Sequence, residues 1–179
     1  MMKGESALFR RYMKNTVLCA MLAALCCLAT LVLQIPSPIG GYLNLGDGFV
    51  LASAFLLGPW YGALAAGIGS ALADLLGGYV QYVPGTFVIK ALMAAAAGAL
   101  CVLLAKRLPL SFSRLLSALL GEGIMVAGYL TYEAWLLGYG AGALVGIPSN
   151  LMQAVIGIAV SLVLCSLLFK IPGVRRHLP

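Results

Sequence analysis

Apolar residues run along this chain in six blocks separated by short clusters of glycine and proline. The blocks predict helices over about 15–33, 46–57, 60–76, 84–105, 110–137 and 148–169. Pro36 and Pro38 end the first block, Gly58-Pro59 the second, Gly77-Gly78 the third, Gly138 and Gly140 the fifth, and Pro172-Gly173 the sixth. Pro84 suits the first turn of the fourth. The first block has 19 residues and would rise about 28 Å as a helix. That length spans a bilayer and exceeds the apolar core of a secretory signal, roughly 7–15 residues. It is therefore expected to stay as the first membrane helix.

Composition agrees. Of 179 residues, 63% are hydrophobic and 9% charged, against roughly 25% charged in soluble domains. A water-facing globule could not be covered with so few charges. The expectation is an all-α integral membrane protein, one transmembrane domain over residues 1–179, with no separate soluble domain.

The second block is the weak one, since 12 residues reach only about 18 Å of a roughly 30 Å hydrocarbon core. The formal charge of +6 resolves it. With six spans, ten of the eleven basic residues fall on one side: Lys3, Arg10, Arg11, Lys14, Lys106, Arg107, Arg114, Lys170, Arg175 and Arg176. Only Lys90 is left over. Cytoplasmic loops carry the excess of Lys and Arg, so six transmembrane helices with both termini cytoplasmic are expected. The same rule accounts for the basic balance without nucleic acid. Small residues at fourfold spacing, Gly62-Ala66-Ser70 and Ala63-Gly67-Ala71, suit close helix packing.

Ionisable groups within membrane spans are costly and mark function. Here they are Asp47, Asp74, Lys90, Glu122 and Glu133. On this topology only Glu122 sits near mid-membrane; the others fall in the extracytoplasmic half, with Asn150 and Gln153. Six of the eight tyrosines (Tyr42, Tyr79, Tyr82, Tyr129, Tyr132, Tyr139) gather on the same side. An anchoring belt would mark both interfaces, so the asymmetry favours an aromatic pocket open outward. Glu122, Val126, Tyr129 and Glu133 share one helical face, as do Thr86 with Lys90 and Asn150 with Gln153. The candidate binding residues are Tyr42, Asn44, Tyr82, Lys90, Tyr132, Glu133, Asn150 and Gln153. Structural roles stay open beside these: a Lys90–Asp74 ion pair, Asp47 capping a helix N-terminus, and Asn150 and Gln153 bonding between helices.

Other chemistries find little material. No P-loop, HExxH or GxSxG is present, and the only histidine is His177. Cys19, Cys26, Cys27, Cys101 and Cys165 lie singly or paired in apolar runs without CxxC spacing, which speaks against a disulfide framework or a metal site. No enzyme activity, bound cofactor or metal is expected.

The run Tyr42-Leu43-Asn44-Leu45-Gly46-Asp47, then Leu57-Gly58-Pro59, Asp74 with Gly77-Gly78-Tyr79, and Pro84-Gly85-Thr86 with Lys90, resembles the S components of energy-coupling factor (ECF) transporters. The hydroxymethylpyrimidine-type subgroup is the nearest. The resemblance implies a prokaryotic plasma-membrane protein of six helices that captures a vitamin or precursor from outside. It also implies partnership with a membrane T component and two ATPase subunits, which use the ATP, and delivery by toppling in the membrane. An Ala-xxx-Ala motif that docks the T component in this family is matched by Ala20 and Ala24. A hydroxymethylpyrimidine- or pyridoxine-like ring suits the polar and aromatic residues, with riboflavin, pantothenate or a nucleobase as alternatives. Outside the family, the competing expectation is a stand-alone secondary transporter.

Overall fold

The computed structural model describes residues 2–38 and 40–170. Arg175, Arg176 and His177 lie outside the described residues, as do the side chains of Lys3, Arg10 and Arg11. Five helices dominate: α1 (Met2–Val32), α2 (Gly46–Leu76), α3 (Val83–Leu104), α4 (Leu110–Thr131) and α5 (Ile147–Leu168). Each contains, or extends with its flanking turns into, a stretch long and apolar enough to cross a membrane.

Five helices stand where the sequence predicts six segments, and the difference is α2. Its residues 46–57 and 59–76 are two helical arms meeting at Gly58, whose φ of 77° and ψ of −177° are non-helical. Only glycine adopts that region readily. The arms fold back on each other. Ser53 Oγ donates to the carbonyl oxygen of Gly62 at 3.2 Å, whereas nine residues of continuous helix would separate the two by about 13 Å. Pro59 opens the second arm, where a missing N–H does no harm. The turn signal at Gly58-Pro59 thus acts as a reversal within one assigned helix.

The arm 59–76 is the hub of the bundle, and its small residues explain why. Gly62 faces the first arm so closely that a Cβ there would meet Ala54 Cα at 2.7 Å. Gly67 abuts the backbone of Phe87 in α3, and Gly69 that of Ala23 in α1. Gly62, Ala66 and Ser70 are all buried. Association of helices in lipid has no hydrophobic drive between helices and depends on such close approach. The core is filled by Val50, Leu51, Met93, Met125, Cys26 and Cys165, so four of the five cysteines are buried apolar fillers and the fifth, Cys19, is half-buried.

Three details depart from the sequence reading. The all-α expectation misses a small antiparallel pairing, β1 (Ile35–Pro36) with β2 (Tyr42–Leu43), in the first loop. The fifth predicted segment is not α-helical to 137, because α4 gives way to a π-turn over Tyr132–Leu136. A 3-10 helix, Gly140–Gly146, leads into α5. Trp60 and Trp135 stand 81% and 85% exposed at opposite ends of the bundle, as interface tryptophans do.

Candidate functional site

At the end of the bundle away from Gly58, six pieces of chain converge: the β1–β2 loop, both ends of α2, the start of α3, the end of α4 and the start of α5. The hairpin in α2 makes this possible. Asp47 opens the first arm and Asp74 lies near the close of the second, yet Asp47 pairs with Lys90 of α3 and Asp74 lines the same cavity as Thr86 of α3.

The floor is a chain of buried hydrogen bonds. Asn44 Oδ1 accepts from the Gly46 amide at 2.8 Å, which fixes the entry into α2. Asn44 donates its backbone N–H (2.9 Å) and its Nδ2 (3.2 Å) to Gln153 Oε1. Gln153 Nε2 in turn donates to Asp47 Oδ2 at 2.7 Å. Asp47 Oδ1 takes the ion pair with Lys90. The expected Lys90–Asp74 pair is therefore replaced by Lys90–Asp47, and Asp47 is no side-chain cap: it sits in the first turn with both oxygens engaged. The Lys90 ammonium also lies 5.3 Å from the centroid of the Tyr129 ring, a cation–π distance. Glu122 lies one layer deeper, across Gly157 from Asp47, with neither carboxyl oxygen bonded among the described residues.

Above the floor is a small cavity of about 30 Å³. Asn44, Gln153 and Asn150 line its base and α5 side; Asp74, Thr86, Tyr129, Tyr82 and Glu133 form the rest of the wall, with Ser37, Gly41 and Tyr42 over it. Tyr42 donates to Asp74 Oδ1 at 2.5 Å and stacks at a tilt on Tyr79, ring centroids 4.4 Å apart. Burial, reinforced by the Asp74 carboxylate, holds the Tyr42 hydroxyl well above the ordinary tyrosine range, so it remains a donor. Tyr82 donates to Glu133 Oε1 at 3.3 Å, and Thr86 shares a hydrogen bond of 2.9 Å with Tyr129. Two acceptor atoms are left over: Asp74 Oδ2 and Glu133 Oε2 are buried without partners among the described residues. Such oxygens call for donors.

Six of the eight candidate residues line this cavity: Tyr42, Asn44, Tyr82, Glu133, Asn150 and Gln153. Lys90 and Tyr132 do not. Lys90 is below the floor, and Tyr132 stands behind Tyr82, its hydroxyl donating to the Gln81 carbonyl at 2.6 Å. Sequence reasoning did not select Asp74, Thr86 or Tyr129 as binding residues. Tyr129 and Thr86 carried a signal, each sharing a helical face with a chosen residue. Asp74 carries no such signal: its sequence position leaves open an ion pair with Lys90, and only the structure gives it to Tyr42. The π-turn that carries Glu133 inward has no sequence signature; such turns recur at functional sites. Ala20 and Ala24 are exposed on the outer face of α1, whereas Ala23 is buried against the bundle.

Comparison with known proteins gives a consistent picture. The family described as ECF-type riboflavin transporter, S component, matches residues 11–170. A thiamine precursor transporter, HmpT, of Lactococcus lactis subsp. cremoris is 28% identical over 134 residues, 75% of this chain and 74% of its own length. An uncharacterised protein of Pyrococcus woesei is 37% identical over 133 residues, 73% of this chain and 85% of its own. Among solved structures, the S component of a bacterial ECF transporter superposes with a TM-score of 0.63 at 22% identity, covering 86% of this chain and 95% of the other; this likeness concerns the fold.

Proposed function

The chain belongs to the S components of ECF-type transporters, multi-pass membrane proteins that bind substrate for a transporter, and from that premise we propose that it captures a small vitamin precursor of the hydroxymethylpyrimidine kind at the cavity just described. The observation that carries this reading is the pair of unpartnered buried carboxylate oxygens, Asp74 Oδ2 and Glu133 Oε2, in a wall of tyrosines. A planar ring bearing amino and hydroxyl donors satisfies both and stacks against the tyrosines. Asn150, Asn44 and Gln153 add amide groups for ring nitrogens. The similarity to the thiamine precursor transporter supports the same substrate class, while the family description names riboflavin.

A volume of about 30 Å³ holds a water or two, not a ring, so capture requires the loop over the site to move. Gly40, at φ 97°, and Gly41, where an added Cβ would come into van der Waals contact with Tyr82 and Glu133, supply that loop with small residues. Opening it parts Tyr42 and Gly41 from the wall; closing it over the ligand excludes water.

The topology in this proposal has six crossings, the two arms of α2 each making one, and both termini in the cytoplasm. The asymmetry of the basic residues supports it. The pocket then opens outward. Delivery of the cargo inward depends on a T component and two ATPases, with Ala20 and Ala24 on the free face of α1 as the T-component contact, and with no cofactor bound by this chain. Cysteine labelling from either side of intact cells tests the topology. Uptake in cells lacking the coupling module tests the partnership: uptake that persists there would favour the stand-alone transporter instead.

A further inference from the structure

The opposite end of the bundle holds a charge that the binding of a vitamin does not use. Arg114, in the second turn of α4, is only 6% exposed. Its guanidinium carbon lies 4.1 Å from the centroid of the Phe169 ring, and its Nε is buried without a hydrogen-bond partner among the described residues. Arginine stays charged in any protein environment. A guanidinium buried at a membrane boundary without an anion is costly. Among the described residues it has none: the one ion pair there is Lys90–Asp47, Asp47, Asp74 and Glu133 belong to the other end, and Glu122, eight residues further along α4 or about 12 Å away, lies across Gly157 from Asp47.

Beside Arg114 is a cavity of about 270 Å³, bounded by Phe55 and Gly58 of α2, Val102 of α3 and Leu110 of α4, with Lys106 at its rim. A second, more open groove of about 390 Å³ reaches the same arginine from the other side, between Phe112, Leu115 and Leu162. One cation therefore sits between two apolar recesses, with a second cation at the edge.

We propose that this end of the bundle binds an anionic phospholipid, its phosphate held by Arg114 and Lys106 and its acyl chains lying in the apolar recesses. A guanidinium fork matches phosphate oxygens, and basic pockets between membrane helices at the cytoplasmic side suit lipid head groups. The walls favour a lipid over a soluble anion, because Phe55, Val102 and Leu110 offer an inorganic ion nothing. The site shares no residue with the vitamin cavity: Thr86 and Val102, on the same helix, are sixteen residues or about 24 Å apart.

The test uses the full chain purified in neutral detergent and mixed with equal amounts of dioleoyl phosphatidylglycerol and dioleoyl phosphatidylcholine, with bound lipid read by native mass spectrometry. The wild type is expected to retain the glycerol lipid about tenfold over the choline lipid, and Arg114→Leu to abolish that preference. Val102→Trp, which fills the cavity and leaves the arginine in place, should lower retention similarly, and it serves if Arg114→Leu does not fold. Lys106→Gln should reduce it about two- to threefold. Equal retention of the two lipids by the wild type overturns the proposal, as does an unchanged preference in both Arg114→Leu and Val102→Trp. Displacement of the lipid by inorganic phosphate at matching concentration would make this a soluble-anion site. Loss of assembly with partner subunits in Arg114→Leu, with lipid preference intact, would make it a protein contact.

Discussion

Replacing Lys90 with methionine removes the cation that faces Asp47. Both residues are buried, at 2% and 1% exposure, so neither charge has water to turn to. The remaining partner of Asp47 is Gln153 Nε2 at 2.7 Å. Breaking a buried ion pair from one side costs about 3–5 kcal/mol, because the other charge is stranded; loss of the ammonium from the Tyr129 ring adds about 0.5–1 kcal/mol. Lys90→Met should therefore destabilise the protein by about 3–6 kcal/mol. The double variant Asp47→Asn/Lys90→Met removes both charges and keeps an acceptor for Gln153, so it should return to within about 2 kcal/mol of the wild type. Equilibrium unfolding in mixed micelles, followed by ellipticity, measures this; Trp60 and Trp135 are too exposed to report on the core. If Lys90→Met is as stable as the wild type, or if the two substitutions add rather than cancel, the Asp47–Lys90 pair does not hold the floor of the site.

Four further outcomes follow from the same geometry. Glu133→Gln removes a carboxylate oxygen that awaits a donor, and should weaken substrate binding about tenfold or more in a titration while leaving the thermal midpoint near the wild type. Gly58→Ala forces a Cβ into a φ/ψ region that excludes it, and should cost about 1–3 kcal/mol in the same unfolding assay without altering the residues that line the pocket. Gly62→Leu drives the arms of α2 apart, since even a Cβ would sit 2.7 Å from Ala54 Cα, and is expected to abolish folded yield by size-exclusion chromatography. Ala20→Trp with Ala24→Trp, on the exposed face of α1, should block assembly with the coupling module while substrate binding stays near normal; lost binding would assign these alanines to the fold instead.

The apolar blocks and their glycine-proline boundaries made the helices legible, and α3 and α5 begin within a residue of where Pro84 and Pro148 suggest. Gly58-Pro59 was legible as a break. The tightness of the reversal was not, because it depends on Gly62 meeting Ala54 rather than on the turn residues alone. Among the polar residues, helical phase grouped Asn150 with Gln153 and Thr86 with Lys90, but phase says nothing of partners across helices. Asp47 and Asp74 were equally plausible mates for Lys90, and only the folding back of α2 decides between them: it sets Asp47 on Lys90 and leaves Asp74 to Tyr42. Helical phase puts Glu133 on the face of Glu122 and Tyr129; the π-turn that buries it beside Tyr82 is a local register shift that composition does not encode.

The central claim, that this S component captures a pyrimidine-type vitamin precursor in the cavity between Asp74 and Glu133, is met most directly by an equilibrium titration of the purified chain, without nucleotide or partner subunits, against hydroxymethylpyrimidine and riboflavin. The account expects saturable one-to-one binding of the pyrimidine, weakened about tenfold or more by Glu133→Gln and untouched by Ala20→Trp. Binding of riboflavin alone, or pyrimidine binding that Glu133→Gln and Asp74→Asn both leave intact, would contradict it.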